Sequence, residues 1–325
     1  MKQASRSFLI AAFLAWVAVA PLAWGQTNVG ILNKPWETGP HWAETEDRLW
    51  FASDGHIEGT DTQIEQFWWD STGRVKIDRD DPDPRFVIGY RILTSSLDTT
   101  ASELPGALNT IALVGAFRLG EIAPGWSLAA TAGAGTSNDN HFDNDDSYFG
   151  IGAVNVRHTI DADSHFDFGL DYDGHRSLFP DVPLPYASYS RKLGDQFAVT
   201  IGLPASSLQW RPLDRVKVEA SYEFPLQGEG AISYELTHDW SIFADYHHTL
   251  DGFARKEADD TLFYSSNRAG VGVRYLLGHL ADLRAGVGYV FEQDYRRSGF
   301  DIRDTDEVAK PTDGMFFFLN VVGTF

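Results

Sequence analysis

Apolar and polar residues alternate with a period of two in segments that recur from about residue 86 to the end of this 325-residue chain. In residues 166–173, Phe, Leu and Tyr alternate with Asp and Gly, and in residues 215–224, Val, Ala, Tyr and Phe alternate with Arg, Lys, Ser and Glu. A helix would spread such apolar residues around its circumference, whereas a strand collects them on one face. The pattern therefore predicts an all-β protein whose strands have an apolar face and a charged face.

The final residues, 314–325, form one such strand and end in phenylalanine. One face carries Met315 and then the set Phe317, Leu319, Val321, Gly323 and Phe325. This ending resembles the C-terminal signal of bacterial outer-membrane barrel proteins. The resemblance implies that the barrel-assembly machinery recognises the last strand through that set.

An export signal is predicted for residues 1–25. Lys2 and Arg6 precede an uncharged apolar run at residues 8–20, and the small residues Ala23 and Gly25 favour cleavage before residue 26. The run is shorter than the ~20 residues that a membrane-spanning helix needs. The chain has no cysteine, so neither a disulfide framework nor a lipid-attachment cysteine is expected, and anchoring must come from the fold.

The composition argues against nucleic acid as a partner and agrees with a barrel. Removing residues 1–25 takes two basic residues away and changes the net charge from −20 to near −22, which disfavours contact with phosphate backbones. The mean hydropathy of −0.24 is expected when only alternate residues of each strand meet lipid. The 30 glycines suit close strand packing, and the 10 Trp and 12 Tyr suit membrane interfaces.

Connections between the alternating segments differ regularly in length, which predicts their orientation. Short links occur near residues 120–125, 161–163, 194, 212–214, 238–239 and 278–280, and long polar links near residues 94–109, 137–147, 174–183, 249–265 and 293–314. Bacterial barrels have short periplasmic turns and longer outer loops. Upward strands are therefore expected to begin near residues 85, 126, 164, 195, 214, 239 and 281, and downward strands near residues 110, 148, 184, 205, 229, 266 and 315.

This pattern predicts an antiparallel transmembrane β-barrel over residues 84–325, with about 14 strands. Prolines 183, 185, 204 and 212 crowd the pair near residues 184–193 and 205–211. Because proline cannot donate to a strand ladder, a barrel of about twelve strands is the alternative.

Residues 26–83 do not share the alternation and are predicted to be a separate, non-barrel N-terminal segment. They contain five tryptophans: Trp36, Trp42, Trp50, Trp68 and Trp69. A small hairpin with its turn at residues 70–73 is predicted inside the segment. Two interpretations stay open for the segment: a plug in the lumen, or a periplasmic lead-in or extra strands.

Several short motifs from residue 201 onward resemble the signposts of an uncharacterised family of bacterial outer-membrane β-barrel proteins. They are Gly202-Leu203-Pro204, Trp210-Arg211-Pro212, Tyr222-Glu223-Phe224-Pro225, Leu262-Phe263-Tyr264, Arg268-Ala269-Gly270-Val271-Gly272 and Gly286-Val287-Gly288-Tyr289-Val290-Phe291. The resemblance covers the C-terminal half most closely. It implies location and fold, and it carries over no catalytic residue.

The charged faces of the predicted strands supply the candidate functional residues. Both signs occur on the same strands, so these residues either line a wet pore or fill the interior with salt bridges. The predicted lumen-lining residues are Arg91, Arg118, Arg157, Asp167, Asp171, Arg215, Lys217, Glu219, Glu223, Glu235, Asp245, His247, Arg274, Arg284 and Glu292.

The favoured function is a porin-like or plug-gated channel for small solutes, in the outer membrane of a bacterium with two membranes. Polar solutes are expected if the charged lumen is wet, and apolar ones if the Trp-rich segment forms a hatch. The alternative is a surface barrel whose outer loops, especially 249–265 and 293–314, bind a partner. The expected partners are outer-membrane lipid, the barrel-assembly machinery and small solutes.

Enzymatic chemistry is not expected. His247 shares a face with Asp245, but no serine has a defined spacing to the pair, so a barrel hydrolase ranks last. Residues 137–146 offer many oxygen ligands, yet they lack the glycine and terminal glutamate of an EF-hand loop and read as a hydrated outer loop. We therefore expect no metal and no cofactor.

Overall fold

The computed structural model describes residues 41–325, except 80, 82, 83, 224–226, 257–259 and 300. The predicted signal peptide and residues 26–40 of the predicted N-terminal segment lie outside the described residues. In the part that is described, no helix is both long enough and apolar enough to cross a membrane.

The described chain forms one sheet of seventeen strands and a single 3-10 turn at Asp145–Ser147. The strands are β1 (Ala43–His56), β2 (Gln63–Lys76), β3 (Phe86–Thr99), β4 (Ala107–Ala123), β5 (Trp126–Asn138), β6 (Tyr148–Asp161), β7 (Ser164–Asp173), β8 (Leu184–Leu193), β9 (Phe197–Leu203), β10 (Ala205–Leu213), β11 (Val216–Glu223), β12 (Gln227–Glu235), β13 (Trp240–Arg255), β14 (Asp260–Leu277), β15 (Ala281–Ser298), β16 (Asp306–Ala309) and β17 (Gly314–Thr324).

The sheet closes on itself. Each strand pairs antiparallel with the next, except that β15 pairs with β17 along most of its length while the short β16 lies beside the end of β15. β17 then pairs with β1, with Leu319 opposite Leu49, and the Phe325 amide donates to the Ala43 carbonyl at 2.9 Å. All strands but β16 therefore form a closed barrel of sixteen strands. We call the end where Ala43 meets Phe325 the terminal rim and the opposite end the far rim.

The predictions of about fourteen or twelve strands are wrong, because β1 and β2 precede the predicted barrel and belong to its wall. A strand lies close to each position predicted from residue 84 onward, including the proline-containing β8 and β10. Residues 43–76 are therefore neither a plug nor a lead-in. The turn predicted at residues 70–73 is also wrong, since these residues continue β2, with Gly73 opposite Thr45. Trp50 and Trp68 place aromatic rings on the inner face, and this hides the alternation.

Several links predicted as long outer loops are strand instead. β13 and β14 continue through most of residues 249–265 and pair from Thr249 opposite Ser266 to Arg255 opposite Asp260. β3 and β4 likewise extend into residues 94–109. Strands β13–β15 have 16 to 18 residues, whereas β8–β12 have 7 to 10. The wall is therefore high on one side of the barrel.

The outer surface carries an apolar belt. Outward-facing side chains on strands around the barrel include Leu113, Leu170, Ile201, Ile232, Val271 and Phe317, and each is at least 50 % exposed. Exposure of so many large apolar side chains in one belt suits contact with hydrocarbon and not with water. The period-two pattern thus reflects strands whose apolar face points out of the barrel, as expected from the sequence.

Glycines on β14 and β15 make room for inward-facing phenylalanines. A Cβ added at Gly288 would lie 2.4 Å from the ring of Phe316, and one added at Gly286 would lie 2.6 Å from the ring of Phe318. These two rings project inward from β17 and lie against the glycine backbone of β15. An added Cβ would also collide with a backbone carbonyl of β14, that of Val271 at Gly286 and that of Ala269 at Gly288, so neither position has room for a side chain.

Candidate functional site

Charged side chains line the lumen near the terminal rim, and most of those predicted from the sequence lie in pairs. Lys217 pairs with Glu219 at 2.7 Å and Arg157 with Asp167 at 2.8 Å. Asp171, toward the far-rim end of β7, pairs with Arg176 of the following connection at 2.5 Å. Arg274 and Arg284 face each other across adjacent strands and share Asp282, each at 2.9 Å. His247 lies 3.4 Å from Asp245 and 3.6 Å from Glu229.

Several of the paired side chains remain partly exposed although they face the inside of a closed sheet, whereas partners such as Asp167 and Asp282 are largely buried. Arg48 on β1 reaches Glu229 on β12 at 3.4 Å, with side-chain exposures of 40 % and 44 %. Arg157 is also 40 % exposed, and Arg284 is 36 % exposed. Sheets of this strand number leave an aqueous channel. The charge pairs therefore leave part of the interior unfilled by side chains.

Small polar side chains line the wall beyond these charges. On β8, β9 and β10 the inward positions include Ser188, Thr200, Ser207 and Gln209, as the strand register shows. The side chains of Ser207 and Gln209 are exposed on the inner face.

Three predicted lumen residues lie away from these charge pairs. Arg215 is exposed in the turn between β10 and β11, and Arg118 is exposed near the terminal-rim end of β4. Glu292 sits at an irregularity of β15 with a φ of +50°, is exposed, and accepts a hydrogen bond from Asn267 at 2.8 Å. Because Asn267 is bonded by Tyr246, whose ring faces outward, Glu292 belongs to the outer surface. The bulge reverses the alternation that the prediction had extended through this residue.

Glu223 and Glu235 lie at the ends of β11 and β12, partly exposed. Neither has an ion pair within the described part of the chain.

Arg91 links three strands at mid-height. Its guanidinium donates two hydrogen bonds to Asp70 on the neighbouring β2, at 3.1 and 3.2 Å, and one to Asp251 on β13 at 3.1 Å. The Arg91 side chain is only 7 % exposed and that of Asp251 15 %. The arginine therefore ties the β2–β3 wall to a strand that lies across the lumen.

An aromatic layer fills part of the lumen on the far-rim side of these charges. Trp68 stacks on Tyr264 with ring centroids 4.6 Å apart and on Trp50 at 5.7 Å. Tyr264 contacts Tyr295 at 4.8 Å, and Phe316 meets Trp50 edge-on at 6.1 Å. All five rings are at least 94 % buried. β2 and β14 are four positions apart in a barrel of sixteen strands, so the layer bridges one side of the wall and narrows the lumen there.

The far-rim half of the β13–β14 hairpin crosses the mouth of the barrel. β13 and β5 are eight positions apart in either direction around the sheet, yet Ala254 is paired with Asn138 in a parallel bridge. The Ser137 hydroxyl donates to the Gly252 carbonyl at 2.8 Å, and the Asp139 amide donates to the Ala254 carbonyl at 3.2 Å. We call residues 249–255 and 260–266 the crossing hairpin.

His175, in the connection between β7 and β8, adds a further contact to the crossing hairpin. Its Nε2 lies 2.6 Å from the Gly252 carbonyl, and its ring stacks on Phe149 at 4.8 Å. Burial lowers the pKa of His175, with nearby Arg91 acting in the same direction, while Asp173, Asp251 and the Gly252 carbonyl raise it. The neutral imidazole therefore donates from Nε2 to the carbonyl.

The crossing hairpin is closely seated. The cavity between it and the wall, lined by residues that include Arg91, Thr110, His175 and Asp251, measures about 10 Å³. This is the room of about one water molecule. A solute could not pass at this place without movement of the hairpin.

The acidic loop between β5 and β6 makes a further contact near the tip of the hairpin. Lys256 pairs with Asp143, and this hydrogen bond lowers the pKa of Asp143. His141 lies 3.0 Å from Asp139. Within the described residues, no group of three or more histidine, cysteine, aspartate or glutamate side chains is arranged to hold a metal ion.

Most residues that make contacts across the lumen were not among the candidates predicted from the sequence. Arg48, Trp50, Trp68 and Asp70 lie on β1 and β2, in the segment predicted to be separate from the barrel. Asp251 lies in a segment predicted as an outer loop. The signal that could have found β1 is the run of charged residues at every second position from residue 44 to residue 48, continued by Trp50.

No protein-family model matches the chain, and no curated protein matches it significantly. Solved structures do resemble it. An outer-membrane channel from Pseudomonas putida F1 is 13 % identical, with a TM-score of 0.35, over 88 % of this chain and 96 % of that one. The toluene transporter TodX of Pseudomonas putida is 8 % identical, with a TM-score of 0.35, over 94 % and 96 %. A Pseudomonas aeruginosa FadL homologue is 13 % identical, with a TM-score of 0.36, over 87 % and 89 %. At these identities and TM-scores the likeness carries no information on function, which has to be inferred from this chain's own side chains.

Proposed function

We propose that this protein is a channel for small solutes in the outer membrane of a bacterium with two membranes. Its closed sheet leaves no strand edge unpaired in the barrel wall, and its outward faces form an apolar belt. A closed barrel of this kind satisfies every backbone polar group within hydrocarbon. Contact with outer-membrane lipid, and assembly through the strand that ends at Phe325, belong to the same proposal.

One observation carries the proposal: some of the charged side chains inside the barrel remain exposed, although others, such as Asp245 and Asp282, are largely buried. Arg48 and Glu229 meet across the lumen with exposures of 40 % and 44 %. Buried ion pairs that only filled the interior would be desolvated, which costs several kcal/mol per ion by an order-of-magnitude estimate. Hydrated charges of both signs instead suit the passage of polar solutes.

The finer proposal is that the crossing hairpin gates the channel. A plug was one interpretation of residues 26–83. Residues 43–76 cannot serve as that plug, because they form part of the barrel wall. The hairpin is joined to the opposite wall by Ser137, by His175 and by Arg91. Movement of the hairpin toward its own wall would release these contacts and widen the mouth.

Liposome swelling with sugars of graded size tests the channel directly. Purified, refolded protein is expected to admit small sugars and exclude large ones. A second variant, in which residues 250–265 are replaced by a two-residue turn between Thr249 and Ser266, is expected to admit larger sugars and to conduct more in planar bilayers. A heat-dependent shift in gel mobility shows that each protein is folded. If the folded wild type and the folded shortened variant both admit no sugar and conduct no current, the channel is excluded.

The aromatic layer favours one alternative, a closed surface barrel that binds a partner through its outer loops. Five buried rings fill space that an open pore would keep free. Silence of both the wild type and the shortened variant would support this alternative. We propose no catalytic role, because the hydrogen-bonded side-chain partner of His247 in the described chain is Asp245 and not a nucleophile.

A further inference from the structure

Arg268 on β14 differs from the other arginines that face the inside of the barrel. Arg48, Arg91, Arg157 and Arg284 each have a carboxylate within ion-pair distance. Within the described residues, Arg268 has none, and its Nε is buried without any hydrogen-bond partner. A guanidinium is always charged. A charge placed in a narrow interior is costly unless an anion offsets it.

The surroundings of Arg268 are defined on two sides. Its guanidinium lies over the ring of Trp50, 5.0 Å from the centroid. Along the sheet it is opposite His247 on one neighbouring strand and opposite Val290 on the other. The side chain is partly exposed, so it is not sealed from the lumen. The site therefore combines an unpaired cation with the border of the aromatic layer.

We propose that Arg268 and Trp50 form a binding site for small organic carboxylates with an apolar or aromatic body. A guanidinium stacked on an aromatic face keeps its in-plane N–H groups free, and those groups match the two oxygens of a carboxylate. Trp50 and the neighbouring rings offer the apolar surface for the rest of the ligand.

The charge around the site favours a single carboxylate. Asp70 and Asp251 lie nearby and are both engaged by Arg91. A second carboxylate on the ligand would meet this acidic pair, whereas a neutral tail would not. The site would thus favour monoacids over diacids. This inference names a substrate class for the proposed channel, and in that sense rests on it.

Ligand-observed fluorine NMR on detergent-solubilised, refolded protein tests the site, since it detects weak binding. The probes are 4-fluorobenzoate and the uncharged 4-fluorobenzyl alcohol. The wild type is expected to bind the carboxylate at least about tenfold more tightly than the alcohol, as a charge-assisted hydrogen bond implies. Equal affinities for the two probes would overturn the proposal.

Three variants locate the binding. Arg268→Gln should weaken binding of the carboxylate by about 10- to 100-fold and leave the alcohol unchanged. Arg268→Lys should retain part of the preference, because it keeps the charge and loses the fork. Arg274→Gln is the matched control, on the same strand and face but already paired with Asp282, and should bind as the wild type does. If Arg268→Gln binds the carboxylate as tightly as the wild type does, the site is refuted. If that variant does not fold, an Arg268→Lys variant with wild-type affinity for the carboxylate would refute the two-pronged hydrogen bonding by the guanidinium.

The binding measurement needs no transport, so the two proposals fail separately. A barrel that prefers the carboxylate but stays silent in bilayers would contradict the channel and keep the site. A conducting barrel without that preference would contradict the site and keep the channel.

Discussion

Replacement of Asp251 by Asn should release the crossing hairpin from the opposite wall. In the structure the Asp251 carboxylate accepts a hydrogen bond from Arg91 at 3.1 Å, and both side chains are largely buried. Arg91 keeps its two bonds to Asp70 in the variant. The penalty for a wholly unpaired buried charge, about 3–5 kcal/mol, therefore does not apply, and the loss is that of one charge-assisted hydrogen bond, about 1.5–3 kcal/mol.

If the hairpin gates the channel, that loss should raise the ratio of open to closed states by roughly 10- to 100-fold. Single-channel recording in planar bilayers measures this ratio. Asp260→Asn is the matched control, because Asp260 pairs with Arg255 inside the hairpin at 2.6 Å and does not join it to the wall. An open probability that is the same in Asp251→Asn as in the wild type would refute the reasoning, as would an equal rise in the control.

Three more predictions concern Trp68, His175 and Asp282. Trp68→Ala should lower the free energy of unfolding by about 3–5 kcal/mol and raise the conductance; a lower thermal midpoint with unchanged conductance would contradict the filled lumen. Burial holds the pKa of His175 below its usual 6.5, so its stabilisation is complete above about pH 6.5 and is lost as the pH falls through the folded-state pKa. The wild type should therefore open more often in acid, and His175→Gln, which keeps a donor but does not titrate, should not. Asp282→Asn leaves the facing Arg274 and Arg284 without their shared acid, and the reversal potential in a KCl gradient should shift toward anion selectivity.

Most of the barrel wall could be predicted from the sequence, because a strand between lipid and water needs the alternation that β7 and β11 show. The alternation failed at β1 and β2, where inward-facing Trp50 and Trp68 replace the polar residues that mark an inner face. A period of two reports a difference between faces and is lost when both faces are aromatic.

The candidate site could be predicted only in part, for a different reason. Pairs on adjacent strands, such as Arg157 with Asp167, follow from strand order and facing. Contacts across the lumen, such as Arg91 with Asp251, depend on how the long β13–β14 hairpin leans, and no local pattern encodes that. The polarity of residues 249–265 suggested an outer loop because the mouth of a barrel is itself polar.

We propose above that the crossing hairpin, joined to the opposite wall, controls an aqueous lumen. The chain has no cysteine, so a single engineered disulfide can lock that contact. Asn138 and Ala254 are paired across the mouth. Paired strands lie about 4.7–4.9 Å apart, within the Cα range of roughly 4.4–6.8 Å that a disulfide spans. In bilayers the oxidised Asn138→Cys, Ala254→Cys protein should conduct little, and addition of a reductant should restore conductance. Equal conductance before and after reduction, with the disulfide confirmed by mass spectrometry, would contradict the account.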